Sequence, residues 1–355
     1  MPKHRLPVFD GDGHIYEDDD EIAQYFEGAM ASAKRFKTFG LFPSLDGWSR
    51  GMALSKMGES RKYTHTNAEV WGEMLDAIGA DGSVLYPTAG LAVGLMLDAS
   101  AATHVSIAYN NWLEDRYTRQ DERLYGVGMI PVQDPAEAAR EIARCATGRT
   151  RFPAVFLPSV TNTGKTYGDE SFWPIFEAAE KHDLGVALHG GPSQGFGFDH
   201  FRSFAKVHAM EHPVPLMIQL TDMMFSGVFD AFPKLRVAYL EGGCSWVPFM
   251  MDRLDYEHES AIGALSGHRL RQAPSEYFRS EQIYVAVELG EKGLKYAVDA
   301  MGGADRIIYA SDYPHEPPEE EIIGDVPAFL EDPDDDDEVK SHVLGRAARR
   351  FYRID

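Results

Sequence analysis

The chain has 355 residues, of which 44% are hydrophobic and 12% aromatic, so it can bury a large core. Its 34 basic and 56 acidic residues give a net charge of −22, which argues against nucleic-acid partners and anionic membrane surfaces. No stretch approaches the roughly 18 consecutive apolar residues of a membrane span, and the N-terminus lacks the apolar core of a signal peptide. With only two cysteines, the sequence predicts a soluble cytoplasmic protein without a disulfide framework.

Short β-rich runs alternate with helical segments after residue 66, which is typical of a parallel α/β fold. Helices are predicted over 67–79, 134–148 and 169–183, with Asp134 and Asp169 at helix starts. The predicted strands are 7–12, 83–86, 124–132, 154–158, 185–189, 236–241, 283–288 and 306–311. Eight such units over about 250 residues or more predict a single (β/α)8 TIM-barrel domain.

Two connections are longer than a simple barrel requires. Residues 17–66 form an insertion after the first strand, and residues 190–215 form a long loop after the fifth. Long loops on a barrel commonly act as lids or substrate walls, so both are expected near the site. The acidic segment 316–355 is predicted to be a helical C-terminal extension. Its acidic runs are interpreted as helix starts rather than as a calcium loop.

Ionisable residues follow the apolar part of five predicted strands. Since the carboxyl ends of barrel strands meet at one rim, these side chains are expected to converge. Carboxylates brought together would repel one another strongly, and a divalent cation resolves that repulsion. The residues, in strand order, are Asp12 and His14, His189, Glu241, Glu288 and Asp312.

The first strand carries Asp10, Asp12 and His14 at alternate positions, so an extended chain points all three the same way. Asp12 and His14 can then flank a metal, with Asp10 beneath them as an acceptor that orients a ligand. Imidazole and carboxylate together suit Zn²⁺, Mn²⁺ or Fe²⁺ better than Ca²⁺ or Mg²⁺.

Four motifs occur in order: "DGDGH", "LHGG", "FPKLRVAYLEGG" and "ASDYPHEP". As a set they resemble the amidohydrolase superfamily, specifically the branch related to aminocarboxymuconate-semialdehyde decarboxylase. The resemblance implies metal ligands at Asp12, His14, His189 and Asp312, and it implies a homodimer. Asp12 stands where the first ligand histidine of the superfamily often lies.

One position departs from that branch, whose sixth strand normally ends in a histidine that acts as an acid or base beside the metal. Glu241 occupies the position here. A glutamate can still transfer protons if burial raises its pKa. As an anion, it can equally become a metal ligand.

Several residues are surplus to a single metal. In one interpretation these are surface groups, hydrogen-bond partners or substrate contacts, namely Glu17, Glu241, Glu288, His208 and His212. In the other, Glu17 or Glu241 binds a second metal together with His208 or His212. "HAMEH" over 208–212 also matches an inverted zinc-peptidase motif, but the barrel rim offers a better-placed site. The candidate substrate-binding residues are Phe198, Arg202 and His315.

These features favour a metal-dependent lyase or hydrolase acting on a small cyclic or unsaturated carboxylic acid, with non-oxidative decarboxylation preferred. The catalytic candidates are Asp312 as ligand and base, Glu241 as proton donor or orienting group, and His189. The alternative is a dinuclear non-heme iron monooxygenase, which requires a second metal. A metal-binding barrel without catalytic activity is the third hypothesis.

Overall fold

A computed structural model describes residues 6–28, 30–31, 40–45, 66–265, 267–315, 318–333 and 336–355. Its centre is one sheet of eight parallel strands that follow one another in chain order, which confirms the predicted TIM barrel. The strands are β1 (Asp10–Ile15), β2 (Ser83–Pro87), β3 (Leu124–Met129), β4 (Ala154–Pro158), β5 (Gly185–His189), β6 (Val237–Leu240), β7 (Ile283–Val287) and β8 (Ile307–Tyr309).

Backbone hydrogen bonds between β1 and the segment after β8 bring the two edges of the sheet together. The Asp312 N–H donates to the Asp12 carbonyl at 3.0 Å, and the His14 N–H donates to the Tyr313 carbonyl at 2.7 Å. The first and last strands therefore present their polar residues side by side, although they are some 300 residues apart in sequence.

Helices connect the strands. They are α1 (Asp19–Ile22), α2 (Ala68–Ile78), α3 (Ala99–Leu113), α4 (Pro135–Gly148), α5 (Trp173–His182), α6 (Phe204–Glu211), α7 (Pro213–Phe225), α8 (Val228–Ala231), α9 (Val247–Glu259), α10 (Pro274–Phe278), α11 (Leu294–Met301), α12 (Glu319–Glu331), α13 (Asp337–Ser341) and α14 (Ala347–Tyr352). Asp134 caps α4 as predicted, whereas Asp169 caps a short 3₁₀ turn that leads into α5. Within the described ranges, no helix is long and apolar enough to span a membrane.

The C-terminal segment is packed into the barrel rather than appended to it. The Phe9 N–H donates to the Leu344 carbonyl at 2.7 Å, and the Tyr352 hydroxyl donates to the Gly11 carbonyl at 2.7 Å. Phe351 and Tyr352 are buried. This segment thus closes the barrel at the amino ends of the strands, opposite the rim that carries the predicted site.

The acidic runs begin helices, as expected. Three glutamates form the first turn of α12, and the Asp336 carboxylate accepts a hydrogen bond from the Val339 N–H at the start of α13. Negative charge at a helix N-terminus is favourable because the unpaired N–H groups there carry partial positive charge.

The predicted lid over 17–66 lies largely outside the described residues, which within it are 17–28, 30–31, 40–45 and 66 and contain α1 and a 3₁₀ turn. The loop after β5 is described throughout. It contains a 3₁₀ turn at Phe198–His200, and α6 and α7 follow before the chain returns to β6. α6 therefore lies in the long loop that was expected to border the site.

Candidate metal centre

Two buried histidines at the rim share one orientation. His14 Nδ1 lies 2.9 Å from the Pro87 carbonyl, and His189 Nδ1 lies 3.1 Å from the Gly190 carbonyl. A carbonyl oxygen only accepts hydrogen bonds, so both rings carry their proton on Nδ1. This leaves the Nε2 lone pair of each ring available to a cation, the tautomer that metal-binding histidines commonly adopt.

The two Nε2 atoms face carboxylates. Asp12 Oδ1 lies 3.2 Å from His189 Nε2 and 3.6 Å from His14 Nε2, while Asp312 Oδ1 lies 3.5 Å from His14 Nε2. Asp12 Oδ2 and His14 Nε2 are buried without a hydrogen-bond partner among the described residues. Lone pairs that converge in this way repel one another unless a proton or a cation lies between them.

The pKa values of His14 and Asp312 agree with this assignment. Burial, together with His315 and His189, lowers the pKa of His14 well below its usual value, so its ring is neutral. Burial raises the pKa of the Asp312 carboxyl well above its usual value, and the Glu241 and Asp12 carboxylates raise it further. The donor set of Asp12, His14, His189 and Asp312 therefore fits a divalent metal of the zinc, manganese or iron type.

Asp10 lies beneath the rim and holds the strands that carry the ligands. Its carboxylate accepts hydrogen bonds from the Ser83 hydroxyl at 2.6 Å, the Ser311 hydroxyl at 2.9 Å and the Ser311 N–H at 3.0 Å. It also accepts from the Asp12 N–H at 3.3 Å. Asp10 thus orients Asp12 through the main chain and ties β1 to β2 and to the end of β8.

Glu241 and Asp312 both adopt the left-handed backbone conformation, with φ of 62° and 53°. Side chains other than glycine rarely adopt this conformation, and it costs of order 1–3 kcal/mol. Glu241 directly follows β6, and Asp312 lies three residues after the end of β8, so both stand in turns at the rim. Non-glycine residues at two such positions in one site indicate that the side chains, rather than the turns, are needed there.

Glu241 joins the metal cluster to the loop after β5. Its Oε2 lies 3.3 Å from His189 Nδ1 and 2.9 Å from His212 Nδ1. Burial alone would raise the pKa of Glu241, but His212 and His189 outweigh burial and lower it well below its usual value. The carboxylate is therefore an anion held between two imidazoles.

His315, a predicted substrate-binding residue, contacts the metal cluster directly. Its Nδ1 lies 2.8 Å from Asp312 Oδ1, and its Nε2 lies 2.8 Å from the Thr88 hydroxyl oxygen. That hydroxyl donates to the Ile15 carbonyl at 2.8 Å. Sequence reasoning missed Thr88, since a lone threonine after a strand carries no signal of its own.

The other two predicted substrate contacts lie elsewhere. Arg202 is exposed, and its guanidinium donates to the Asp199 carbonyl at 2.8 Å and the Phe201 carbonyl at 3.0 Å. Phe198 is buried, with its ring centroid 6.5 Å from that of Phe201. Both side chains make these contacts within their own loop, so their proposed role toward substrate is not supported by this placement.

Glu17 is also placed differently from the prediction that made it a second-metal ligand. Its carboxylate accepts three hydrogen bonds from backbone N–H groups, those of Thr88 at 3.1 Å, Ala89 at 3.0 Å and Gly90 at 2.6 Å. These bonds fix the turn after β2, which carries Thr88. Glu17 therefore stabilises the rim by holding a loop. It belongs to none of the groups of described residues whose side chains are close enough together to hold a metal ion.

Replacing Glu17 with glutamine is expected to destabilise the fold without changing its metal content. The amide nitrogen would face a backbone N–H group, at a cost of about 1–3 kcal/mol in the free energy of unfolding. Chemical denaturation and elemental analysis of the Glu17→Gln protein measure both quantities, and exposed Glu27→Gln is the matched control. Loss of bound metal in Glu17→Gln alone would instead make Glu17 a ligand.

A second cluster lies on α6, where His208, Glu211 and His212 each offer an atom within 4.8 Å of the others. The first cluster, at the rim, consists of two overlapping groups whose ligand atoms also lie within 4.8 Å of one another. One group is Asp12, His14 and His189, and the other is His14, Glu241, Asp312 and His315. The 2.9 Å contact between His212 and Glu241 connects the two clusters.

Comparison with known sequences agrees with this geometry. The sequence model of the amidohydrolase family matches residues 76–354. The chain is 27% identical over 249 residues to 2-amino-3-carboxymuconate-6-semialdehyde decarboxylase of Dictyostelium discoideum, covering 69% of this chain and 66% of that relative. It is 25% identical over 268 residues to gamma-resorcylate decarboxylase of a Polaromonas strain, covering 68% and 76%. The resemblance seen in the four motifs is thereby confirmed.

Known structures give the same result. The 5-carboxyvanillate decarboxylase of Sphingomonas paucimobilis superposes with a TM-score of 0.73 and 25% identity, covering 99% of this chain and 100% of that one. The corresponding enzyme of Novosphingobium aromaticivorans, determined with bound manganese, shares the fold with a TM-score of 0.71, 20% identity, and coverage of 98% and 97%. These relatives favour decarboxylation over the dinuclear iron oxygenase and lend no support to hydrolysis.

Proposed function

This chain belongs to the amidohydrolase family, and from that premise we propose that it decarboxylates a small aromatic or unsaturated carboxylic acid with the help of a divalent metal. The observation that carries the proposal is the convergence of Asp12, His14, His189 and Asp312, whose unprotonated Nε2 and carboxylate oxygens face one another within 3.2–3.6 Å. The relatives named as decarboxylases support the choice of reaction.

The metal would be held by Asp12, His14, His189 and Asp312. When bound, it supplies positive charge that stabilises the anion formed as the carbon–carbon bond breaks. His14 and His189 keep their Nε2 lone pairs directed at this position because the Pro87 and Gly190 carbonyls hold the opposite ring nitrogens.

The proton that replaces the carboxylate comes from the pair of Asp312 and His315. The single proton of the Thr88 hydroxyl is donated to the Ile15 carbonyl, so the hydroxyl oxygen accepts from His315 Nε2. Since Nε2 carries a proton, the 2.8 Å contact between His315 Nδ1 and Asp312 Oδ1 must hold a further proton. Asp312 can then deliver that proton to the substrate carbon while carbon dioxide leaves.

Glu241 is assigned an orienting role rather than that of proton donor. Its Oε2 already contacts His212 and His189 at 2.9 and 3.3 Å, and the two imidazoles favour its charged form. An anion in this position fixes the His189 ring and repels a misplaced substrate carboxylate.

The substrate class follows from the relatives. The names gamma-resorcylate decarboxylase and 5-carboxyvanillate decarboxylase denote enzymes acting on hydroxylated aromatic acids. We therefore expect this enzyme to prefer an aromatic acid with an oxygen substituent beside the carboxylate.

Metal removal and reconstitution test this proposal. Protein stripped with a chelator should lose turnover of a panel of hydroxybenzoates, and added Mn²⁺ or Zn²⁺ should restore it, because the anionic transition state needs the cation. Carbon dioxide release and loss of the acid's ultraviolet absorption measure the reaction. Metal-loaded protein that converts none of the acids but consumes oxygen would overturn the proposal.

A homodimer in the cytoplasm completes the proposal. The family resemblance supports the dimer, and the two buried free cysteines, Cys145 and Cys244, suit a reducing compartment. Light scattering after gel filtration measures the assembly directly.

A further inference from the structure

The cluster on α6 has the spacing of a chelating helix face. His208, Glu211 and His212 occupy positions i, i+3 and i+4, which lie on the same side of a helix. Glu211 and His212 are buried, and His208 is half-buried. Two histidines four residues apart on one helix face are a common zinc-binding arrangement. Two imidazoles with one carboxylate also form a known three-ligand zinc set, in which one position remains open.

His212 is held between two carboxylates. Its Nδ1 lies 2.9 Å from Glu241 Oε2, and its Nε2 lies 3.6 Å from Glu211 Oε1. Both contacts are at ion-pair distance, and neither ring nitrogen has a hydrogen bond of good geometry among the described residues. A buried imidazole with both nitrogens directed at carboxylates needs positive charge there, either a second ring proton or a cation bound on one side.

The end of β5 is shaped to admit this ring. A Cβ at Gly190 would lie 2.8 Å from His212 Nδ1 and 3.0 Å from its Cα. Any larger residue would push the ring away from Glu241. Gly190, the first glycine of the "LHGG" motif, thus allows His212 to approach the rim.

The local charge favours a cation. The Glu241 and Glu211 carboxylates face the two nitrogens of the His212 ring at 2.9 and 3.6 Å. Two carboxylates facing one buried ring create a region of negative potential. A divalent cation on Nε2 can take the place of a ring proton there.

We infer that His208, Glu211 and His212 form a second divalent-cation site of the zinc type, distinct from the site formed by Asp12, His14, His189 and Asp312. All three ligands come from α6 and its first following residue, and Glu17 takes no part.

The second site would position Glu241. A cation on His212 Nε2 leaves the ring's proton on Nδ1, where it is donated to the Glu241 carboxylate. Such a carboxylate–histidine–metal chain fixes the ring and strengthens the ligand. It also anchors α6 to the rim. The inference concerns binding alone, so it can fail without affecting the proposed decarboxylation.

Metal counting tests the second site without any substrate. Chelator-stripped protein is loaded with Zn²⁺, freed of excess metal by gel filtration and analysed for zinc per chain. Wild-type protein should retain about two zinc ions and His208→Ala about one, because the two sites bind independently. His200→Ala removes an exposed histidine from the same loop and should leave the count unchanged.

Two further variants make the outcome decisive. Glu211→Gln keeps the size of the side chain and should also lose about one zinc ion. The double variant Asp12→Asn with His14→Gln should lose the zinc ion of the first site and retain the other. Adding His208→Ala to this double variant should remove the remaining zinc ion. Circular dichroism confirms that each variant is folded. Equal zinc counts in wild-type, His208→Ala and Glu211→Gln proteins would overturn the inference.

Discussion

Replacing Asp312 with asparagine is expected to reduce kcat for decarboxylation by roughly 10²–10⁴-fold, the usual contribution of general acid–base catalysis. The 2.8 Å contact between Asp312 Oδ1 and His315 Nδ1 holds the proton that the product needs. An asparagine side chain keeps the shape but neither takes up nor releases that proton at neutral pH. Steady-state assays with the preferred acid measure the loss.

Metal content must be measured on the same Asp312→Asn sample, since Asp312 is also a proposed ligand. Activity should remain low after the protein is saturated with metal, which separates proton transfer from metal binding. Exposed Asp299→Asn is the matched control and should behave as wild type. Near-normal kcat in folded, metal-loaded Asp312→Asn protein would contradict the assignment of Asp312 as proton donor.

The proton pathway also explains why His315 belongs to the site. The residue follows a turn that begins at Asp312, and its Nε2 reaches Thr88 after β2. Glu17 fixes the Thr88 turn through three backbone N–H groups. Loops after β1, β2 and β8 are thereby joined by polar contacts, and together they set the position of one proton.

The barrel and its rim could be predicted because the strands are apolar runs that end at single polar residues. β4 and β5 begin and end at the predicted residues, and β7 differs by one residue. β1 differs most, since it runs from Asp10 to Ile15 and includes Asp12 and His14. The reason is that its edges pair with β2 and with the segment after β8, which only the closed barrel reveals.

The finer contacts of the site depend on tertiary approach and have no local signal. Glu17 was assigned to a metal because it is an acid near the rim, yet backbone N–H groups from a distant loop satisfy it. Arg202 was assigned to substrate because it is a cation in a rim loop, yet carbonyls of its own loop accept its hydrogen bonds. The residue types of Glu17 and Arg202 therefore did not predict which groups their side chains contact.

Glu241 shows how a departure from the family pattern is compensated. The resemblance implies a histidine at the end of the sixth strand, and this chain has a carboxylate there. The structure places the imidazole of His212, the residue that follows α6, 2.9 Å from that carboxylate. An imidazole therefore remains beside the rim, supplied by the loop after β5 instead of by β6.

Loss of Asp10 should damage the fold strongly, because its carboxylate satisfies four buried donors. These are the Ser83 and Ser311 hydroxyls and the N–H groups of Ser311 and Asp12. Burial raises the pKa of Asp10 to about 6, although hydrogen bonds from Ser83 and Ser311 lower it. The site therefore tolerates a neutral side chain, provided that the side chain can make hydrogen bonds.

Asp10→Ala is expected to lower the free energy of unfolding by about 3–6 kcal/mol, since each buried donor left unsatisfied costs about 1–3 kcal/mol and the serine hydroxyls can turn to other acceptors. Asp10→Asn should cost far less, because its carbonyl accepts from the two N–H groups while its amide donates to the hydroxyls. Denaturant unfolding measures both variants, and metal content should fall only in Asp10→Ala, where Asp12 loses its support. Equal stability of the two variants would show that the hydrogen bonds of Asp10 do not hold β1 in place.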